Sequence, residues 1–120
     1  MARILVVDDD PGLRNSLCTA LQDLGHVPFQ AGDGLEGLTC TDPTDLVITD
    51  LCMPRVGGLE LIRSLRHRRP ALPIIAISGD SSAGDRLETA RRLGAVTTLR
   101  KPFGLPDLVR EVERALSPLG

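Results

Sequence analysis

The chain has 120 residues, 42% hydrophobic and 25% charged, with a formal net charge of -2 at pH 7. That length suits one domain able to bury a core without disulfides or a structural metal, and it leaves no room for a second module. The balance argues against disorder and against a strongly basic nucleic-acid binder, and with no Trp or Tyr and only Phe29 and Phe103 the stacking platforms of a single-strand binder are missing too.

Met1-Ala2-Arg3 leads at once into the apolar run Ile4 to Val7, which predicts a first strand and no signal peptide. No apolar stretch approaches the span of about 20 residues that a membrane helix needs. Cys18, Cys40 and Cys52 are odd in number and widely spaced, against both a disulfide framework and a C-x-x-C site. Reduced thiols in a soluble cytoplasmic protein are the expectation.

After Asp8-Asp9, Asp10-Pro11 reads as an N-cap and first-turn proline, and Leu13, Leu17, Leu21 and Leu24 carry a helix from Pro11 to Leu24 that Gly25 stops. Val27 to Ala31 is a second strand, placed at a sheet edge by Pro28. Asp33 and Glu36 form a capping pair for a second helix, kept short or loose by Gly34 and Gly37, each costing about 1 kcal/mol against Ala.

Leu46-Val47-Ile48 predicts a third strand ending in Asp50, and Leu59, Ile62 and Leu65 mark a third helix. Ile74 to Ile77 runs into Ser78 as a fourth strand. Arg86 to Leu93, closed by Gly94, predicts a fourth helix with a thin apolar face of Leu87, Ala90 and Leu93, the helix best placed to move. A fifth strand, Val96 to Leu99, leads to Lys101. Pro106 opens the last helix, with a buried stripe of Leu105, Leu108, Val109, Val112 and Leu116, and Ser117 to Gly120 reads as a tail.

Five strand and helix alternations joined by right-handed crossovers predict an α/β fold, a (βα)5 doubly wound, five-stranded parallel sheet between two helix layers, for which strand order 2-1-3-4-5 is the leading choice. In such sheets ligands bind outside the carboxyl ends of the strands. That edge collects Asp8, Asp9, Asp50, Ser78 and Lys101. Two carboxylates about 4 Å apart repel by roughly 4 kcal/mol at an effective dielectric near 20, so something positive must compensate. Hard cations take oxygen ligands, and Mg2+ favours one or two carboxylates together with waters and a phosphate. A carboxylate can also attack phosphate to give an aspartyl-phosphate, which makes Asp50 the candidate nucleophile and Lys101 the charge that neutralises the transferred group.

With Val6-Val7-Asp8-Asp9, Asp50-Leu51-Cys52-Met53-Pro54 followed by Gly58-Leu59-Glu60-Leu61, Ser78, and Lys101-Pro102-Phe103 in order, the chain resembles the receiver domain of two-component response regulators over nearly its whole length. The resemblance implies a flavodoxin-like fold and a phosphorylatable switch, not a conventional enzyme. It implies that Asp50 accepts a phosphoryl group from a phosphohistidine of a histidine kinase or histidine phosphotransfer protein, with Mg2+. It further implies that Asp9 and Asp50 ligate the metal directly, Asp8 through water and Cys52 through its backbone carbonyl, and that the Lys101-Pro102 peptide is cis. Ser78 would respond to the phosphoryl group.

The chain departs from the family at Thr98, where receivers often carry an aromatic whose rotation reports phosphorylation, which implies a weaker or differently packed switch. Gly57 replaces a frequent acidic residue, making two adjacent glycines. The output is expected from an unknown downstream protein or a missing output domain. No direct nucleic-acid binding is expected within these residues, and the family also allows a homodimer through the face of the fourth and fifth helices.

A rival enzyme reading treats Asp8 and Asp10 as the nucleophile and acid of a haloacid-dehalogenase-type phosphatase, but Gly12 stands where that motif wants Thr or Val. A second rival is a receiver-like scaffold that no longer takes phosphate. His26 and His67 have no partner at metal-ligand spacing. The run Arg63 to Arg69 reads as a solvated helix end that complements the helix dipole.

Overall fold

Alternation of side chains along the strands organises the molecule. The computed structural model describes residues 1–40, 43–51, 57–79 and 83–117. They form β1 (Arg3–Val7), α1 (Pro11–Asp23), β2 (Val27–Ala31), α2 (Gly34–Thr39), β3 (Leu46–Asp50), α3 (Gly58–Arg68), β4 (Ile74–Ser78), α4 (Ala83–Leu93), β5 (Thr97–Arg100) and α5 (Leu105–Leu116). The five strands are parallel in the order β2-β1-β3-β4-β5, with Ile4 opposite Leu46, Ile48 opposite Ile75 and Ser78 opposite Arg100. Pro28 sits in the edge strand β2, opposite Ile4.

Because successive residues point to opposite faces, Ile4, Val6, Leu46, Ile48, Ile75 and Ile77 enter one core with Leu17 and Leu21 of α1 and Leu108 and Val112 of α5. Leu5, Val7, Val47, Ile74 and Ala76 enter the other with Leu61, Ile62 and Leu65 of α3 and Leu87 and Ala90 of α4. Both faces of the sheet are covered, which is why the strands read as continuous apolar runs.

Local signals set the element ends. The Asp10 carboxylate caps α1 by accepting from Gly12 N at 3.0 Å and Leu13 N at 3.4 Å, and Gly25 leaves the helix with φ +87°. Asp33 Oδ1 accepts from Glu36 N at 2.9 Å, while Glu36 Oε2 accepts from Gly32 N at 2.8 Å, a reciprocal cap shifted one residue upstream. The helix it opens has only six residues.

Several expectations are corrected. Leu24 caps α1 and is 39% exposed, and Cys18 takes its place in the core. Leu105 is 46% exposed at the start of α5, one residue before Pro106, so the buried part of that helix comes down to Leu108 and Val112. Helix α4 starts at Ala83, not Arg86, with a first turn holding no large apolar residue that periodicity could register. Strand β5 runs one residue later than predicted, leaving Val96 at its entry 56% exposed.

The basic run closing α3 caps carbonyls and is not simply solvated. Arg66 donates to Pro70 O at 2.5 Å and Gly94 O at 2.7 Å, Arg68 to Leu38 O at 2.9 Å, and Arg69 to Thr44 O at 2.8 Å. His26 is structural as well, its Nδ1 accepting from Ala2 N at 3.0 Å. No helix among the described residues is long and apolar enough to cross a membrane.

Candidate functional site

Asp8 follows Val6 and Ile4 on the α1/α5 side of the sheet, and Asp50 follows Ile48 and Leu46 on that same side. Parallel pairing of β1 with β3 therefore brings the two carboxylates together at the carboxyl edge. Asp8 is 1% exposed and Asp50 5%, while the neighbouring Asp9 is open to solvent. Carboxylate oxygens of Asp8, Asp9 and Asp50 lie within 4.8 Å of one another, an all-oxygen donor set able to hold a hard metal ion.

Lys101 reaches this group from the strand on the far side of β4. Its Nζ donates to Asp50 Oδ2 at 3.1 Å and to Asp8 Oδ2 at 3.4 Å. The other Asp8 oxygen accepts from Asp10 N at 2.9 Å. Burial, reinforced by the charge of Asp50, pushes the Asp8 carboxyl above its ordinary range despite the Asp10 amide and the ammonium. For Lys101 burial acts downward, but the hydrogen bonds and charges of Asp50 and Asp8 together outweigh it, and its pKa rises. One cation holds two buried carboxylates together.

Backbone contacts fix Lys101 and Asp50. Lys101 N donates to Ser78 O at 2.9 Å, and the Lys101-Pro102 peptide is cis. A Cβ on Gly79 would lie 2.8 Å from the Lys101 Cβ, so glycine there lets the two loops close. A Cβ on Gly58 would overlap the Asp50 carbonyl and lie 2.6 Å from Leu51 Cα. Gly58 N in turn donates to Leu51 O at 3.2 Å, docking the start of α3 beneath the aspartate. Thr49 Oγ1 donates to Asp50 O at 2.9 Å.

Ser78 is fully buried at the end of β4, and among the described residues its Oγ has no hydrogen-bond partner. A buried hydroxyl left unpaired is costly and marks a place where a ligand acceptor can fit. Thr98 lies opposite Ala76, two residues deeper in the sheet than Ser78 and outside the carboxylate cluster; its Oγ1 accepts from Arg91 Nη2 at 3.2 Å. Cys52 lies outside the described residues. Asp10 Oδ1 serves the α1 cap, the role its place before Pro11 predicts.

The family model of the response regulator receiver domain matches residues 4–113. The chain belongs to the response regulator receiver domain family. This receiver is 42% identical over 118 residues to the DNA-binding transcriptional regulator NtrC of Azospirillum brasilense, covering 97% of this chain and 24% of that protein. It is 38% identical over 116 residues to the response regulator MprA of Mycobacterium ulcerans, covering 95% and 50%. The chain thus spans from about a quarter to half the length of these relatives. Its structure superposes on the crystal structure of a response regulator receiver domain protein from Clostridium thermocellum with a TM-score of 0.88 at 30% identity, covering 97% of this chain and 94% of that one.

One contact beside the candidate site left no mark in the sequence. Arg14 donates to the Asp8 carbonyl at 2.6 Å, an interaction no spacing rule signals. Gly58 was legible as the start of the Gly58-Leu59-Glu60-Leu61 segment and as a neighbour of Gly57, but its close approach to the Asp50 carbonyl was not, although a paired glycine is itself a cue for such an approach.

Proposed function

We propose that this receiver is a phosphorylatable switch in which Asp50 takes a phosphoryl group from a phosphohistidine on a histidine kinase or histidine phosphotransfer protein. An Asp50 oxygen attacks phosphorus; the P–N bond breaks, and the imidazole leaves with the bonding pair and takes a proton from water. Asp9 and Asp50 would hold Mg2+ directly and Asp8 through water, with the Cys52 carbonyl as a further ligand. Bound there, the metal supplies positive charge opposite the transferring oxygens.

The observation that carries this reading is the Lys101 bridge between Asp50 and Asp8. An ammonium on the acceptor oxygen is placed to follow the phosphoryl group once it is attached. The unpaired Ser78 hydroxyl is the donor free to turn toward that group, and its movement would be passed toward β5 and Thr98. The protein is accordingly a signalling module and no conventional enzyme, a single receiver unit acting in the cytoplasm through an unidentified downstream protein or output domain, with homodimerisation open to it.

Incubation with Mg2+ and acetyl phosphate is expected to add the mass of one phosphoryl group, and Asp50→Asn to abolish it. An unmodified wild-type mass under conditions that label another receiver would refute the proposal. Turnover of a small phosphate ester that survives in Asp50→Asn would favour the phosphatase reading instead.

A further inference from the structure

Asp8 and Asp9 are joined by a peptide that the sheet itself does not hold on both sides. Strand β1 ends at Val7, and the Asp8 amide still bonds Ala31 O at 3.1 Å, but the Asp8 carbonyl takes its hydrogen bond from a side chain, Arg14 Nη1 at 2.6 Å. Arg14 is itself gripped. Its Nε donates to Gln30 Oε1 at 2.7 Å, and Gln30 Nε2 donates to Asn15 Oδ1 at 3.1 Å, so α1 and β2 fix the guanidinium from both sides.

We infer that Arg14 is a positioning residue for the acidic pair, holding the Asp8-Asp9 peptide plane so that the Asp9 carboxylate faces Asp8 and Asp50. The Asp8 side chain has holders of its own in Asp10 N and Lys101 Nζ. Asp9 is exposed, and the direction of its carboxylate depends on the peptide that carries it. Among the described residues Arg14 bonds none of the three carboxylates, so it acts through the backbone. Charge-assisted hydrogen bonds from a planar fork are strong and directional, and groups that orient ligands govern metal affinity nearly as much as the ligands do.

The inference rests on Asp8 and Asp9 binding Mg2+, and its test separates the two claims. Mg2+ is titrated into wild type, Arg14→Ala, Arg14→Lys and Gln30→Ala, following amide resonances near Asp50, with thermal unfolding recorded for each. Arg14→Ala is expected to weaken Mg2+ about tenfold, Gln30→Ala by less, and Arg14→Lys to recover part of the loss because an ammonium can still reach the carbonyl. Labelling of Asp50 by a phosphodonor should need correspondingly more Mg2+ in Arg14→Ala, its Mg2+ dependence shifting with the affinity. Wild-type affinity in Arg14→Ala, or in Gln30→Ala where Arg14→Ala does not fold, overturns the inference alone, as does a lowered Tm with unchanged affinity. A wild type with no saturable Mg2+ response overturns both claims.

Discussion

Lys101 Nζ stands 3.1 Å from Asp50 Oδ2 in a contact that leaves the lysine side chain 28% and the aspartate side chain 6% exposed. Removing the ammonium takes away the charge that Asp8 and Asp50 share. Lys101→Ala is therefore expected to lose about 2 kcal/mol, less than a fully buried pair would because the lysine is partly wet, and about 8 °C in Tm. Added Mg2+ should restore more stability to this variant than to wild type, because bound ligand stabilises the folded state and the vacated charge is what it replaces. Equal Mg2+ shifts in the two proteins by thermal unfolding would contradict this role. The Lys101 pKa is raised, so its contribution is complete below the ordinary value of 10.5 and is lost as pH climbs through the folded-state value.

Asp8 shares the sign of that pH dependence, but removing its charge has the opposite effect at pH 7. Burial raises its carboxyl pKa, so the stability tied to its proton is present below the ordinary value of 3.8 and is lost as pH rises through the raised one. Asp8→Asn keeps the acceptor for Asp10 N and removes the charge. It should stabilise the protein at pH 7 by about 1 kcal/mol, or about 4 °C, while weakening Mg2+. Urea midpoints measured from pH 4 to pH 7 should show the gain growing with pH; a gain that shrinks with pH would reverse the argument.

The two adjacent glycines before α3 do different work. A Cβ on Gly58 meets backbone that has nowhere to go, and Gly58→Ala should cost about 3 kcal/mol. Gly57 has its nearest neighbour, Leu51 O, at 3.8 Å, a φ of -75° open to any residue, and no side-chain cap to offer α3. Gly57→Asp supplies that cap and should gain about 0.3 kcal/mol. Denaturation midpoints that fall equally in both variants would show the loop, not the Asp50 contact, to be what matters.

The α/β alternation and the acidic edge were legible because both rest on chain-local patterns: continuous apolar runs, helical stripes between them, and an even-numbered parity that carries Ile4 to Asp8 and Leu46 to Asp50. The strand order, which depends on how the crossovers are laid down, came as the leading choice for five strands and with the family resemblance. What stayed hidden depends on backbone acceptors or on three-dimensional depth. Arg14 and Arg66 serve carbonyls, which leave no mark in side-chain spacing, and the same holds for His26 on Ala2 N. Leu105 reads as core by its spacing but lies in the first turn of α5, ahead of where that helix meets the sheet. Thr98 was visible as a departure, yet its bond to Arg91 joins residues seven apart on different elements.

That bond shapes how a signal would leave the site. Thr98 Oγ1 accepts from Arg91 Nη2 at 3.2 Å, and Leu87, Arg91, Thr98 and Arg100 line a groove between α4 and β5. With no aromatic to swing inward, displacement of α4 has to break this exposed bond, worth about 0.5 kcal/mol net. Thr98→Val keeps the shape and removes the acceptor, so a shifted α4 should become about twofold more populated. Beryllofluoride with Mg2+, which mimics the phosphoryl group on Asp50, is expected to move amide resonances from Arg86 to Leu99 in wild type and not in Asp50→Asn. In Thr98→Val, the unliganded resonances should already lie part of the way toward those positions. Resonances in α4 and β5 that ignore beryllofluoride would mean the signal leaves by another face; a Thr98→Val spectrum matching wild type would mean the Arg91 contact does not restrain the helix.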